Sequence, residues 1–548
     1  MKTKKTLNRR DFIGLTVAGS TALLTEGCQS SATDQNTNSH KIIYNPQKIR
    51  TRYNISGPEE EAKRNARYFK EAVAKMKEIS RKEPENKMGW FAQAKIHFEH
   101  CGGGTKNIHH TPLFLPWHRA YLAYFEEVCR KTLCDLKVPD YDDFALPYWD
   151  WSQSAFIPKI FRGTVINEWD DDLNSIEPPK NWNLKPNDQK WERIKDWKAE
   201  CPNVGQTEID KVWKGNIFDI ISMIPSSGKY FAGTLQHGVH NRIHGFVKGN
   251  MISPSAAALD PLFWLHHANI DRIWDQWMKK HEKVLPSKCP SSSSDCCNTC
   301  AAWDKEEDKE ACLKTSAHIC KWLSTEISGF PPVNGNAYSK QVCELLNISN
   351  LGYKYQDSEE IHFGDCINVK TINEDKYLIG TEFKDKRITN INNPITIEIA
   401  ELLTVPKNAE NLRNIQLAIS QMLTSKTASD SAITPVSLLL TLEVEKPKDP
   451  AISARVFINP PLEKLSELPT TDPSYIGTFS FFESLDEDHL HNDETRGFIF
   501  DITDTILKME SFDLASAKVS ICPKFLNGNT DDSMGEIGLL SLQLLLAR

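Results

Sequence analysis

A chain of 548 residues, 40% of them hydrophobic, is too long for one simple core and predicts two folded domains with tails. Its formal net charge of −8 argues against nucleic acid as the main partner, because phosphate binding wants a basic face. The 16 histidines and 14 tryptophans fall in clusters, which directs attention to particular stretches rather than to totals.

Residues 1–40 are read as an export signal and a polar tether. "MKTKKTLNRRDFIGLTVAGSTALLTEGC" has a basic start and an apolar run from Phe12 to Leu24, too short and too polar to span a membrane as a helix. Arg9-Arg10 before Asp11-Phe12-Ile13 resembles a twin-arginine export signal, with Asn8 where that pattern prefers Ser or Thr. The resemblance implies a protein exported already folded, to the periplasm, the medium or a lipid anchor. Cys28 after Gly27 is the candidate lipidation site, although Glu26 fits a lipobox poorly.

Residues 41–330 predict a mainly α domain. Ala62, Ala66, Phe69, Val73 and Met76 share one helical face in Glu59–Ser80, and Trp90–Phe98, Ala120–Leu133 and Phe263–Trp277 complete a four-helix bundle. Gly163–Val212 has no clear period and reads as covering loops. Six of the 14 cysteines (Cys289, Cys296, Cys297, Cys300, Cys312, Cys320) mark an insertion near 285–320. In an exported chain they read as disulfides; Cys297-x-x-Cys300 holding zinc is the alternative. Residues 331–390 are taken as a linker region. From 391 to 548 seven short β-rich runs, from "ITIEIAELL" to "EIGLLSLQLLL", predict an all-β antiparallel sandwich, with a barrel as the alternative.

The chemistry is concentrated in two stretches, "WFAQAKIHFEHCGGGTKNIHHTPLFLPWHRAYL" and "LQHGVHNRIHGFVKG…LDPLFWLHHANIDRIW". His240 and His244 are four apart, so a helix puts both imidazoles on one face, and His267 on a later helix can complete a three-nitrogen site. His97, His109 and His118 can do the same for a second ion. Neither set contains a carboxylate or thiolate. Imidazole suits zinc, copper, iron and nickel, whereas magnesium and calcium want oxygen. Two uncharged sets favour a soft, low-charge ion such as Cu(I), with an open face for dioxygen.

"HHTPLFLPWHRAYLAYFEE" resembles the copper A signature of tyrosinases and catechol oxidases, and "DPLFWLHHANID", preceded by "HNRIH", resembles their copper B signature. The resemblance covers about residues 90–280. It implies a binuclear type-3 copper centre, with His97, His109 and His118 on copper A and His240, His244 and His267 on copper B. His100, His110, His237 and His266 are then neighbours. Arg119, Glu126 and Asp271 become structural ion-pair residues. Cys101, four residues after His97, matches the cysteine that plant-type members join to the second histidine by a thioether, here His109; one half of a disulfide is its alternative. Gln236 stands where many members have a water-holding Glu, Asn241 matches a residue tied to phenol deprotonation, and Pro254 aligns with the gate on the copper A side. "SARVFIN" and its surroundings resemble, more loosely, the C-terminal domain of plant polyphenol oxidases, which covers the active-site mouth.

The expected activity is oxidation of o-diphenols to o-quinones by dioxygen, with monophenol hydroxylation weakened because Gln236 supplies no negative charge. Full tyrosinase and o-aminophenol oxidase activities are alternatives within the same chemistry. Oxygen carriage, as in haemocyanins, and copper storage are alternatives of other classes. The expected partners are a phenolic small molecule and dioxygen.

Overall fold

The computed structural model describes residues 48–547 outside 103–107, 164–169, 185–192, 195–200, 216–229, 291–305, 334–337, 365–370, 390–393, 426–435, 448–451, 483–494, 526–536 and a few single or paired positions. The leader reading and Cys28 fall outside these residues.

Helix α1 (Glu60–Lys82) forms where sequence periodicity places it. Ala62, Ala66, Phe69, Val73 and Met76 are buried, and Glu60 and Glu61 open the helix while Arg81 and Lys82 close it, matching the helix dipole. Helix α2 (Trp90–His97) runs into a π-helical turn, Phe98–Gly102. Helix α3 (Phe114–Asp135) is buried almost all round. Helix α4 (Gln206–Lys214) follows, then a second π-helical turn, Leu235–His240, leading directly into α5 (Asn241–Val247).

Helix α6 (Pro261–Lys280) starts on a capping pair. Asp260 accepts from the Leu262 backbone N–H at 2.8 Å and Pro261 occupies the first turn, where its missing N–H costs nothing. Arg193 grips the same carboxylate with two bonds, 2.6 and 2.7 Å, which fixes the cap inside the protein. Helices α3 and α6 lock together through the buried Arg119–Asp271 pair and through Trp264 stacked on Phe125 at 3.5 Å.

Strand β1 (Arg50–Arg52) is covered by a distant segment. Strands β2 (Glu326–Phe330) and β3 (Tyr338–Gln341) pair with each other, and β4 (Tyr353–Tyr355) pairs in parallel with β1. This brings Tyr353 and Tyr355 onto the buried Arg52 guanidinium, which bonds Glu126 at 2.8 Å and the Tyr355 hydroxyl at 3.0 Å. Both tyrosine hydroxyls donate to Asp271 at 2.6 Å. A buried charge is tolerable only when paired in this way.

The C-terminal region consists of β5 (Leu378–Ile388), β6 (Ile395–Glu398), β7 (Ser437–Glu445), β8 (Ile452–Ile458), β9 (Tyr475–Ser480), β10 (Thr495–Asp501), β11 (Lys518–Phe525) and β12 (Ile537–Ala547). They form two antiparallel four-stranded sheets, ordered β10-β7-β12-β5 and β6-β11-β8-β9. All seven runs read from the sequence contribute a strand; β5 was not among them. The region is not all β: α7 (Glu306–Leu323) precedes it and α8 (Pro406–Ser425) lies within it, with Ile415, Ala418, Ile419 and Met422 buried on one face. Strand β7 is buried on both faces. Leu438, Leu440, Leu442 and Val444 enter the β core while Leu439 enters the helical core, which explains a continuous apolar run instead of alternation.

Cys289 is bonded to Cys343, and Cys312 and Cys320 on α7 are disulfide-bonded as well, while Cys296, Cys297 and Cys300 lie outside the described residues. Among the described residues no helix is long and apolar enough to cross a membrane.

Candidate metal centre

Six elements deliver the histidines. The end of α2 supplies His97, the turn before α3 supplies His109 and the first turns of α3 supply His118. The π-helical turn and α5 supply His240 and His244, and α6 supplies His267. All six are buried. The His97, His109 and His118 ring centroids lie 5.2 to 5.5 Å apart, and those of His240, His244 and His267 lie 4.6 to 5.5 Å apart. The two sets face each other, with His109 to His240 at 5.9 Å and His118 stacked on His267 at 4.2 Å. Phe114 and Phe263 pack edge-on against the rings.

Hydrogen bonds decide which nitrogens are available. Nδ1 of His97 faces the Pro254 carbonyl at 2.8 Å, Nδ1 of His118 the Phe114 carbonyl at 2.8 Å and Nδ1 of His244 the Met251 carbonyl at 2.6 Å. A carbonyl only accepts, so each Nδ1 carries the proton and each Nε2 keeps its lone pair. Among the described residues Nε2 of His97, His118 and His240 has no hydrogen-bond partner, and Nε2 of His244 faces Nε2 of His267 at 3.3 Å. Burial first, then the neighbouring rings, pushes the His97, His118, His244 and His267 pKa values well down, and burial takes His240 to about 3. Neutral, converging, unpartnered imidazole nitrogens fit a metal ion and no internal partner.

His266 lies in the same cluster as His240, His244 and His267. Trp151 Nε1 donates to its Nδ1 at 3.1 Å. That places the His266 proton on Nε2, the nitrogen a metal would need bare, and argues for His267 as the ligand. Cys101 is a buried free thiol within 4.8 Å of the His97, His109 and His118 nitrogens.

The other expected site residues are occupied in ways the sequence did not disclose. Gln236 Nε2 donates to the His109 carbonyl, and the Tyr230 hydroxyl lies against both that carbonyl, at 2.7 Å, and Gln236 Oε1. Asn241 Oδ1 meets Nδ1 of His240 at 2.7 Å. Pro254 is buried and its carbonyl holds His97. The ring that lies on His244 is Phe482, just past β9, stacked at 3.9 Å and 5.1 to 5.4 Å from His109 and His240. Phe482 escaped sequence reading because nothing in one dimension says where a strand end lands. The only signal is the doubled Phe481-Phe482, one ring for each core.

His237 joins the two halves. Its ring nitrogens face the Thr478 and Ile499 carbonyls, each at 3.0 Å, and burial brings its pKa down to about 4 despite those acceptors. An unfolded histidine titrates near 6.5, so the unfolded chain binds the extra proton first. The stabilisation is present above about pH 6.5 and is lost as pH falls towards 4, up to roughly 3 kcal/mol. Urea midpoints of the parent and His237→Phe should therefore converge between pH 7 and pH 4.5; a constant gap would refute the assignment.

Residues 87–280 match the model of the common central domain of tyrosinase. That stretch is a tyrosinase-type central domain. The chain is 34% identical over 192 residues to a tyrosinase of Hahella sp. (strain CCB-MM4), covering 32% of this chain and 39% of that protein. It is 24% identical over 323 residues to the chloroplastic polyphenol oxidase C of Solanum lycopersicum, covering 52% and 44%. The chain thus spans less than half the length of these relatives. Among solved structures, a latent aurone synthase (polyphenol oxidase) superposes with a TM-score of 0.55 at 19% identity, over 91% of this chain and 90% of that one. Latent apple tyrosinase superposes with a TM-score of 0.54 at 18% identity, over 92% and 98%. These likenesses show a shared fold, a helix-rich core followed by a β region. The family implies binuclear copper, and the two buried histidine groups fit it.

Proposed function

We propose that this protein oxidises o-diphenols to o-quinones with dioxygen, at a copper pair held by His97, His109 and His118 on one side and His240, His244 and His267 on the other. The observation that carries the reading is the pair of facing, buried, all-imidazole sets in which the Nδ1 atoms of His97, His118, His240 and His244 are tied back, turning their Nε2 atoms towards a metal. Bound copper supplies oxygen binding and electron acceptance. The chain's residues do the rest. The helices form the bundle that holds the ligands, the buried cage excludes bulk water, and the face of His244 is the platform for the phenol ring. The two sheets form the sandwich that sets Phe482 on that platform, so the enzyme is latent with the ring in place.

Gln236 and Asn241 bear on which phenols react. Gln236 has no charge and its amide is engaged with His109 and Tyr230, while Asn241 is engaged with His240. Neither offers a base to a monophenol, which favours diphenol oxidation. Pro254, beside His97, stands where a larger side chain would narrow the copper A side. Oxygen uptake by copper-loaded protein, given a diphenol and the matching monophenol in parallel, is expected with the diphenol alone. Prompt uptake with both would make it a tyrosinase, and stoichiometric binding without turnover a carrier.

Cys101 lies close enough to His109 for the thioether of plant-type members. Forming it removes one hydrogen from the thiol and one from the ring, with dioxygen as oxidant. Intact mass of copper-loaded protein should fall by two hydrogen atoms beyond the disulfides, and Cys101 should stop reacting with thiol reagents after unfolding. An unchanged mass would sink this part. Export by the twin-arginine route, with Cys28 as a lipid anchor, is proposed on the leader sequence alone.

A further inference from the structure

We propose that the C-terminal domain is a scaffold for the copper ligands as well as a cover, and that His237 is a positioning residue in that scaffold. The inference rests on the copper reading above.

One segment, residues 230–241, carries the connection. On its outer side it is bonded to the β region at successive points. The Ala232 backbone exchanges hydrogen bonds with β10, from its N–H to the Gly497 carbonyl at 2.9 Å and from the Ile499 N–H to its own carbonyl at 3.2 Å. The His237 ring lies between the Thr478 and Ile499 carbonyls. Asn241 Nδ2 donates to the Ser480 carbonyl at 2.6 Å. Residues 478, 480 and 482 alternate along β9 and its end, while 237, 241 and 244 share one face of the facing helical segment. Two periodicities therefore match over three contacts, ending with Phe482 on His244.

On its inner side the same segment holds one proposed ligand of each copper. Tyr230 and Gln236 grip the His109 carbonyl, and Asn241 grips His240. The Asn241 link carries information. The Ser480 carbonyl only accepts, so the amide must present its NH2 there and its Oδ1 to His240. His240 must then protonate Nδ1 and keep Nε2 for metal. A strand of the β region thus sets the tautomer of a copper ligand.

Gly497 shows how closely the seam is built. A Cβ there would lie 2.9 Å from the Tyr230 carbonyl oxygen and 2.7 Å from the Phe231 ring.

The test is copper release from the full-length, copper-loaded chain to a chelator at pH 7, with copper counted per chain. His237→Phe and Gly497→Ala loosen the seam without touching a proposed ligand. His237→Gln restores donors to the carbonyls, and Phe482→Ala removes the cover alone. Seam variants should release copper about tenfold or more faster than the parent, the size typical of losing a residue that orients a ligand. His237→Gln should return towards the parent rate and Phe482→Ala should match it. Parent-like release from both seam variants overturns the scaffold role, as does equally fast release from Phe482→Ala. A parent that binds no copper overturns the copper reading and this inference together.

Discussion

Replacing Phe482 with alanine is expected to raise diphenol oxidation by the intact chain roughly thirtyfold, with no protease or detergent added. Its ring is 4% exposed and stacked on His244, so a phenol can reach that platform only after the ring has left. Burying a Phe is worth about 2 kcal/mol or a little more, and each 1.4 kcal/mol is a factor of ten in the closed-to-open ratio. Removing the ring shifts that ratio accordingly while leaving the hydrogen bonds of the 230–241 segment in place. The neighbouring Phe481→Ala should behave differently. That ring is 1% exposed in the β core, so its loss costs about 3 to 5 kcal/mol of stability and gives no comparable gain in rate. Initial rates with a catechol and thermal midpoints for both variants separate the two effects. Equal rates for Phe482→Ala and the parent would mean that the ring does not stand in the substrate's way.

His267→Ala is expected to lower bound copper from two ions per chain to about one, and diphenol oxidation by at least about a hundredfold, since a copper with two nitrogens is neither held nor correctly disposed. His266→Gln should retain two coppers. Its ring accepts from Trp151 and has no bare nitrogen for metal, so a glutamine that keeps an acceptor for Trp151 replaces most of what it does. Metal analysis after exhaustive dialysis distinguishes the adjacent histidines. Copper loss in His266→Gln with retention in His267→Ala would reverse the assignment.

That pair also marks where one-dimensional reading stops. The Asp260-Pro261 start of α6 is legible, because capping chemistry is local and its residues are adjacent. The four-residue spacing of His240 and His244 is legible for the same reason. The choice of His267 over His266 came from resemblance to the copper B signature; its physical reason is Trp151, more than a hundred residues earlier, which no local pattern discloses. Gln236 could be recognised as an uncharged substitute, but its engagement with His109 depends on a fold that brings the 230–241 segment against the turn before α3. The strands from β6 to β12 were legible as apolar runs. Helix α8 has an equally clear period, with Ile415, Ile419 and Met422 buried, and was lost among strand-like neighbours. Strand β5, "LIGTEFKDKRI", is charged on its outer face and lacks the apolar density by which the others were found.

The parallel pairing of β1 with β4 has a consequence for how the molecule is made. All six proposed ligands have been synthesised once residue 267 is added. Arg52, however, waits for the Tyr355 hydroxyl, which lies 303 residues further along the chain, and Asp271 waits for both tyrosine hydroxyls. Until then Arg52, Glu126 and Asp271 must stay hydrated or be buried incompletely paired, and incomplete pairing of buried charge costs several kcal/mol. The histidine-bearing core therefore closes late in synthesis, and a nascent chain halted before residue 353 should remain open to solvent, exposing its imidazoles to whatever metal the surroundings offer.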